Sequence, residues 1–371
     1  MRRLLVEIKK MGFEIFFAGV RMSDREKESL SGFVDKWITN FTKKPTLRER
    51  LQKQIRKRLG IPGNNSGFQF NSSLNVENVD CLFEPSWEEE VRRIQELYQF
   101  QRVLVPYIYN SAFLEMLSDV PVRIIDTHDM FTDRNMKLNS IGVDQYWFSV
   151  SREEERKALE RATHVLAIQE EEGELFRQMV SKEVQVMVVK HFTKPSDAPT
   201  DASKRHHFGF IGSDNPLTRH SFLWFADEVL PAIKAAYPDT SCLVAGGVCN
   251  TLPESGLYKL LGRVDNAEDF YVHCSFTINP VRVGTGLKIK TIESLEHYRP
   301  VITTGEGALG LNNFIGAGIT VCHTKEEFTE AMIRHLREQP STEFIKSVQD
   351  CLLAMNRQSA ANLKLALNPD V

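Results

Sequence analysis

Between Asn279 and Thr304 the sequence reads NPVRVGTGLKIKTIESLEHYRPVITT, a run of residue types suited to holding an anion. An apolar strand ends at Asn279–Pro280, a loop carries Gly284, Thr285 and Gly286, and a helix is expected to open near Leu287–Lys288. Glycines at a strand-to-helix turn let the backbone approach a ligand. The unbonded N–H groups of the first helical turn, helped by the helix dipole, can then bind phosphate. Arg282, Lys288 and Lys290 bring positive charge to the same place. Glu293, a turn and a half into the helix, would repel phosphate, so ribose hydroxyls are its natural partner. A lone G-x-G before a helix is also common, and lysines there are often only solvated. Phosphate binding and an ordinary turn both stand at this point.

A second candidate is the pair His128–Asp129, which follows an apolar strand in RIIDTHDMFTDR. It could supply a catalytic base or half of a metal site, and a histidine near a strand end is often only hydrogen-bonded structure. No further ligands lie within reach of the motif, so no metal is expected. The six cysteines are scattered without CxxC or zinc spacing, as in a reducing compartment. The acidic helix starts SREEER and QEEEGE are read as complements to the helix dipole.

These residues need elements to position them, and the chain supplies strands alternating with helices. A basic helix at Met1 runs into the strand FEIFFAGV, and Asp24 to Gly60 reads as charged helix. Residues 61–78, rich in Gly, Asn and Ser, read as a loop. Helices are then expected at Trp87–Tyr98, Ser111–Ser118, Arg152–Ala162 and Glu170–Val180. Strands are expected at Arg102–Tyr107, Val122–Asp126, His164–Gln169 and Val184–Val189. The polar stretch 191–205 reads as a linker, and a second series begins with HHFGFIG. It continues through a helix at Arg219–Ala236, the strands SCLVAGG and FTINP, a helix at Lys288–Tyr298 and the strand PVITT, and two helices close the chain. This rhythm implies two doubly wound α/β domains across a cleft, at 1–190 and 206–345. A last helix, 346–371, is placed back against the first domain. An α/β domain normally opens on a strand, so the first strand is expected to be missing and FEIFFAGV to lack a partner.

The composition fits a soluble globular protein: 371 residues, 42% hydrophobic, 26% charged, net charge −3. That charge argues against a nucleic-acid coat, and no apolar run is long enough to span a bilayer. Eight Lys or Arg fall between Lys43 and Arg58. A solvated helix face accounts for them, and a basic amphipathic stretch can also lie on anionic membrane. The expected location is the cytoplasm, with peripheral contact at the inner membrane face as the alternative.

The run R-x-G-T-G-L-K-x-K-x-x-E-S-L-E, ending in P-V-I-T-T, resembles the donor-binding signature of retaining GT-B glycosyltransferases of family four, the group 1 type. FGFIGSDNPLTRHSFLWFADEVLPAI resembles the opening of that family's second domain, and RIIDTHDMFTDR its D-x-H-D loop. The resemblance spans roughly 122–310, and the first hundred residues share only the αβ rhythm. It implies a nucleoside diphosphate-sugar donor, a glycan or lipid-linked acceptor, no cofactor and no obligatory metal. By position, Gly286, Leu287 and Lys288 would offer N–H groups to the distal phosphate, and Glu293 would bind ribose. Arg263 and Val264 would lie beside the base, Gly212 and Ser213 would form the phosphate-facing turn, and Arg219 would add a cation. His128 and Asp129 would face the transferred sugar and the acceptor. Two residues depart from the pattern: Thr285 replaces the first glutamate of the family pair, and Tyr298 replaces a glycine. Two other functions are kept open. A non-catalytic partner in a glycan-assembly complex draws on Thr285 and the expected missing strand. A nucleotide-sugar 2-epimerase would need acids and histidines that are not evident near the motif.

Overall fold

The computed structural model describes residues 1–19, 24–38, 78–144, 146, 148–196, 207–338 and 340–368. In the first domain the strands are β1 (Phe16–Ala18), β2 (Lys36–Ile38), β3 (Arg102–Pro106), β4 (Val122–Asp126), β5 (His164–Ala167) and β6 (Gln185–Val188). β3, β4, β5 and β6 lie side by side in chain order, all parallel. Such a sheet is covered on both faces, so its inner strands are largely buried. The four residues of β5, HVLA, are all buried. One face packs on Phe131, Phe148, Ala158 and Phe176, and the other on the helix Arg2–Lys10 through Leu4, Leu5 and Ile8.

β1 and β2 form a separate parallel ribbon. Two expectations are corrected here. The charged helix expected from Asp24 to Gly60 stops at Leu30, and Lys36–Ile38 is a strand. That strand gives β1 the partner the sequence reading denied it, with Phe17 and Trp37 5.3 Å apart between ring centroids. Asp35 leads into β2 and accepts from Ile15 N–H at 2.6 Å and Lys9 Nζ at 2.8 Å, pinning the ribbon to the first helix. The basic stretch Lys43–Arg58, nearly all of the Gly/Asn/Ser-rich loop and most of the linker, residues 197–205, lie outside the described residues.

The second domain holds β7 (His207–Ile211), β8 (Ser241–Ala245), β9 (Tyr258–Gly262), β10 (Phe276–Asn279), β11 (Val301–Thr304) and β12 (Ile319–Cys322). They are parallel in the order β9-β8-β7-β10-β11-β12. The strand order reverses between β7 and β10, and crevices that bind ligands open beyond the carboxyl ends at such a point. β9 and β12 were not expected from sequence. Both are edge strands: β9 carries exposed residues at its second and fourth positions, and β12 is buried only at its two ends. The helix expected at Arg219–Ala236 is two helices, Pro216–Glu228 and Leu230–Ala236. Pro231 lacks the N–H that would continue the first. Asn215 caps the first one, accepting from Thr218 N–H at 2.8 Å.

Tyr298, at the position where the family carries glycine, has φ +52°. The left-handed turn explains the family's glycine, and here a buried aromatic bears the strain, its hydroxyl donating to Ser196 O at 3.3 Å.

The last helix, Thr342–Leu367, touches both domains. Val348 and Leu352 pack with Ile292 and Leu295 of the second, while Leu363, Ala366 and Leu367 pack with Leu4, Val122 and Ile124 of the first. Asn356 clamps the segment that crosses between domains, accepting from Thr193 N–H at 2.8 Å and donating to Thr193 O at 2.9 Å. Glu296, 3% exposed, accepts from Lys194 N–H at 2.6 Å and from the Arg3 guanidinium. No described helix is long and apolar enough to cross a membrane.

Candidate active site between the two domains

A cleft of about 460 Å³ opens where β7 and β10 end. Gly212, Ser213, Gly284, Thr285, Leu287, Lys288 and Lys290 line it from the second domain, and Arg134, Leu138 and Tyr146 from the first. Glycine is required at Gly212, since a Cβ there would stand 2.4 Å from Thr218 Cγ2. Strand β7 and the helix beginning at Pro216 can meet this closely only without that atom.

The loop after β10 ends in the helix Ile289–Glu296, which opens one residue later than expected, with Lys288 at its N-cap. Ile289 and Lys290 line the cleft, so the helix presents its N-terminal end there. Lys288 Nζ lies 3.0 Å from Gly286 O and 3.4 Å from Glu306 Oε1, held beside the loop it would serve. Gly286 has φ +70°, and the first domain presses against it. A Cβ at Gly286 would meet Asp129 Oδ1 and His128 O, each at 3.0 Å. Its N–H donates to Glu172 Oε1 at 2.6 Å, so this amide is taken by a carboxylate of the first domain. Of the three amides expected to face phosphate, those of Leu287 and Lys288 belong to residues lining the cleft.

The D-x-H-D loop reaches the site from the end of β4. His128 Nε2 lies 3.1 Å from Asp126 Oδ2, and Asp126 is buried, which pushes its carboxyl pKa up. Asp129 Oδ2 pairs with Arg134 at 3.0 Å. His128 and Tyr107, whose rings are 4.6 Å apart, have φ +56° and +61°. Strained residues of this kind cluster where function over-determines the backbone.

Other expected residues lie outside the cleft lining. Glu293 is bound to Lys290 at 2.6 Å, with the buried Tyr271 hydroxyl 3.5 Å away. Tyr271 packs in the cluster against which Val264 rests, so the residues expected beside base and ribose share one neighbour. Arg263 is exposed beside them. Two arginines expected at phosphate are engaged elsewhere. Arg219 Nε donates to Thr251 O at 3.0 Å, and Arg282 lies over the Trp224 ring at 5.3 Å.

The acidic helix starts are not only dipole complements, and this corrects the sequence reading. Glu155 is fully buried and accepts from Phe131 N–H at 3.0 Å and Thr132 N–H at 2.6 Å. Glu172 is 3% exposed. Burial drives the pKa of each up to about 7, for Glu155 against its hydrogen bonds from Thr132 and Phe131. For Glu172 the Asp129 charge adds to burial, while the Gly286 N–H and Lys288 oppose them. Periodicity could have shown this. Glu172, Phe176 and Met179 are spaced i, i+4, i+7, one helical face. Arg134 was also missed.

A second cavity, about 530 Å³, lies away from the expected residues, lined among others by Arg177, Met187, Lys190, Met355 and Ser359. Among the described residues no group of three or more His, Cys, Asp or Glu could hold a metal.

Two facing domains, a strand-order reversal and a glycine loop at a helix N-terminus define the class of fold: two doubly wound α/β domains across a cleft, the GT-B arrangement. Residues 205–338, which hold most of the cleft lining, match the family model described as glycosyl transferases group 1. Solved structures share the fold. A glycosyltransferase from Rickettsia africae ESF-5 superposes with a TM-score of 0.62 at 11% identity, over 98% of this chain and 93% of that one. Anabaena HepE in complex with UDP gives 0.57 at 12% identity, over 95% and 100%. TarM of S. aureus gives 0.58 at 12% identity over 75% of this chain, which spans 57% of TarM's length. No curated protein matches the chain.

Proposed function

We propose that this protein transfers a sugar from a nucleoside diphosphate donor to a glycan or lipid-linked acceptor, with retention of anomeric configuration. The observation that carries the reading is the placement of the group 1 match. It falls on the domain whose glycine loop and helix N-terminus face the cleft. HepE, with the same fold, was solved with UDP, which makes UDP the first nucleotide to test.

In this reading the donor diphosphate lies between the Gly212–Ser213 turn and the amides at Leu287 to Lys290. Lys288 leaves Gly286 O and Glu306 to meet the leaving phosphate. Glu293 takes the ribose hydroxyls, and Arg263 and Val264 flank the base. His128, held by Asp126, and Asp129, held by Arg134, orient the transferred sugar and the acceptor. Negative charge develops on the leaving phosphate as the glycosidic bond breaks, where fixed dipoles and a cation are worth most. The departing oxygen then takes the acceptor proton on the same face, so no protein nucleophile is required. The domain boundaries at 190 and 206 and the returning helix 346–371 belong to the same proposal.

A panel of nucleotide sugars, screened by thermal shift and then for diphosphate release with and without acceptor, tests the reading. Stabilisation by one donor series, with release abolished in Lys288→Ala, is expected. Donor binding without turnover under any acceptor would favour the non-catalytic partner, and no stabilisation by any nucleotide sugar would sink the donor site.

A further inference from the structure

Among the described residues, four buried side-chain oxygens around the glycine loop have no hydrogen-bond partner within the protein: Asp129 Oδ1, Gln169 Oε1, Glu172 Oε2 and Thr285 Oγ1. They share one neighbourhood. A Cβ on Gly286 would stand 3.0 Å from Asp129 Oδ1, and the Gly286 N–H is bonded to the other oxygen of Glu172 at 2.6 Å. Gln169 Oε1 would lie 2.7 Å from a Cβ on Gly310, which also touches Leu287. Asp129 Oδ1 and Gln169 Oε1 accept hydrogen bonds, Glu172 Oε2 does so once its carboxyl is ionised, and orphaned buried acceptors are costly. The ligand that satisfies them must be rich in O–H donors. Phosphate cannot be that ligand, since its oxygens only accept and repel the two carboxylates. A polyhydroxylated sugar ring can.

The loop itself lacks the acid that a sugar hydroxyl would seek, because Thr285 stands where the family carries glutamate. The chain places a carboxylate from the first domain one residue away in the loop, on Gly286. Resting on the donor reading above, we infer that Glu172 is the specificity-determining residue for the transferred sugar. It accepts from a sugar hydroxyl in place of the acid absent at Thr285. Its bond to Gly286 N–H fixes one oxygen and leaves the other for the sugar. Recognition by the first domain would also couple sugar binding to closure of the cleft.

The test compares the sugar-bearing and bare forms of one nucleotide. UDP, UDP-glucose and UDP-N-acetylglucosamine are titrated calorimetrically into wild type, Glu172→Ala and Glu172→Gln. Glu172→Ala should weaken the preferred UDP-sugar about tenfold or more, as expected for a charge-assisted hydrogen bond, and leave UDP within about twofold. Glu172→Gln keeps the shape and one acceptor, so its loss should be smaller, and it covers the case in which the alanine variant does not fold. The double variant Thr285→Glu/Glu172→Gln should recover UDP-sugar affinity, which a purely structural glutamate would not do. Equal losses for UDP and UDP-sugar, or no loss for either, would overturn the inference while leaving the donor site intact. Failure of wild type to bind any of the three would instead remove the donor reading on which it rests.

Discussion

Replacing Gly286 by alanine tests whether the two domains meet at the glycine loop as described. An L-residue at φ +70° costs about 1–2 kcal/mol relative to glycine, and the less flexible unfolded chain returns about 0.4–1 kcal/mol. The new methyl must also push away Asp129 Oδ1 and His128 O, each 3.0 Å from its position. These atoms belong to backbone and to an ion-paired carboxylate, so they yield poorly. The net cost is about 1 kcal/mol or more, which lowers Tm by about 2–4 °C for a unit of this size. Gly284→Ala is the control. Its φ is not left-handed, and its nearest neighbour is the far end of the Lys288 side chain, Nζ at 3.3 Å, which can shift by a few tenths of an ångström, so its cost should stay within about 0.5 kcal/mol. Both variants are measured by calorimetry and by UDP titration. Gly286→Ala should melt lower than Gly284→Ala and bind UDP more weakly, because the displaced loop carries Leu287 and Lys288. Equal melting of the two would refute the close contact and the backbone argument together.

Two further outcomes are expected. Glu293→Ala should weaken donor binding by about 1.5–3 kcal/mol, the range for charge-assisted hydrogen bonds, with the fold intact by circular dichroism; unchanged affinity in titration calorimetry would remove the ribose assignment. The raised pKa values of Glu155 and Glu172, near 7, mean that the folded state holds those protons more tightly than the unfolded chain. Stability should therefore fall as pH rises from about 4.5 to 7, by a contribution on the order of 3 kcal/mol or less per group, and level off above. Glu155→Gln should flatten the Tm profile across that window; a profile as steep as that of wild type would contradict the assignment.

Much of the second domain is legible in the sequence because its inner strands are short, mostly apolar or threonine-bearing runs bounded by glycine or proline. β7, β8, β10 and β11 are visible this way, whereas β9 alternates inward with exposed residues; β12, ITVC, is as apolar as β10 and was passed over at the sheet edge. The glycine loop is legible for a local reason, since Gly284, Gly286 and Lys288 form one strand-to-helix turn. What joins that loop to the other domain is not local. Glu172 and Gly286 are 114 residues apart, and an acid in the first turn of a helix has an adequate explanation in the dipole alone. Only its spacing from Phe176 and Met179 marks it as inward-facing. Arg219 and Arg282 show the opposite difficulty. Their charge suited phosphate, and side chains that long can turn to a carbonyl or an indole ring instead.

In the proposed function, the cleft between the domains holds a nucleoside diphosphate at the helix that begins at Ile289. A crystal structure of the protein with UDP tests it most directly. Diphosphate density between the Gly212–Ser213 turn and residues 287–290, with Lys288 Nζ turned from Glu306 toward it, is the predicted result. Diphosphate bound instead in the cavity lined by Arg177 and Lys190, with the cleft empty, would contradict the account.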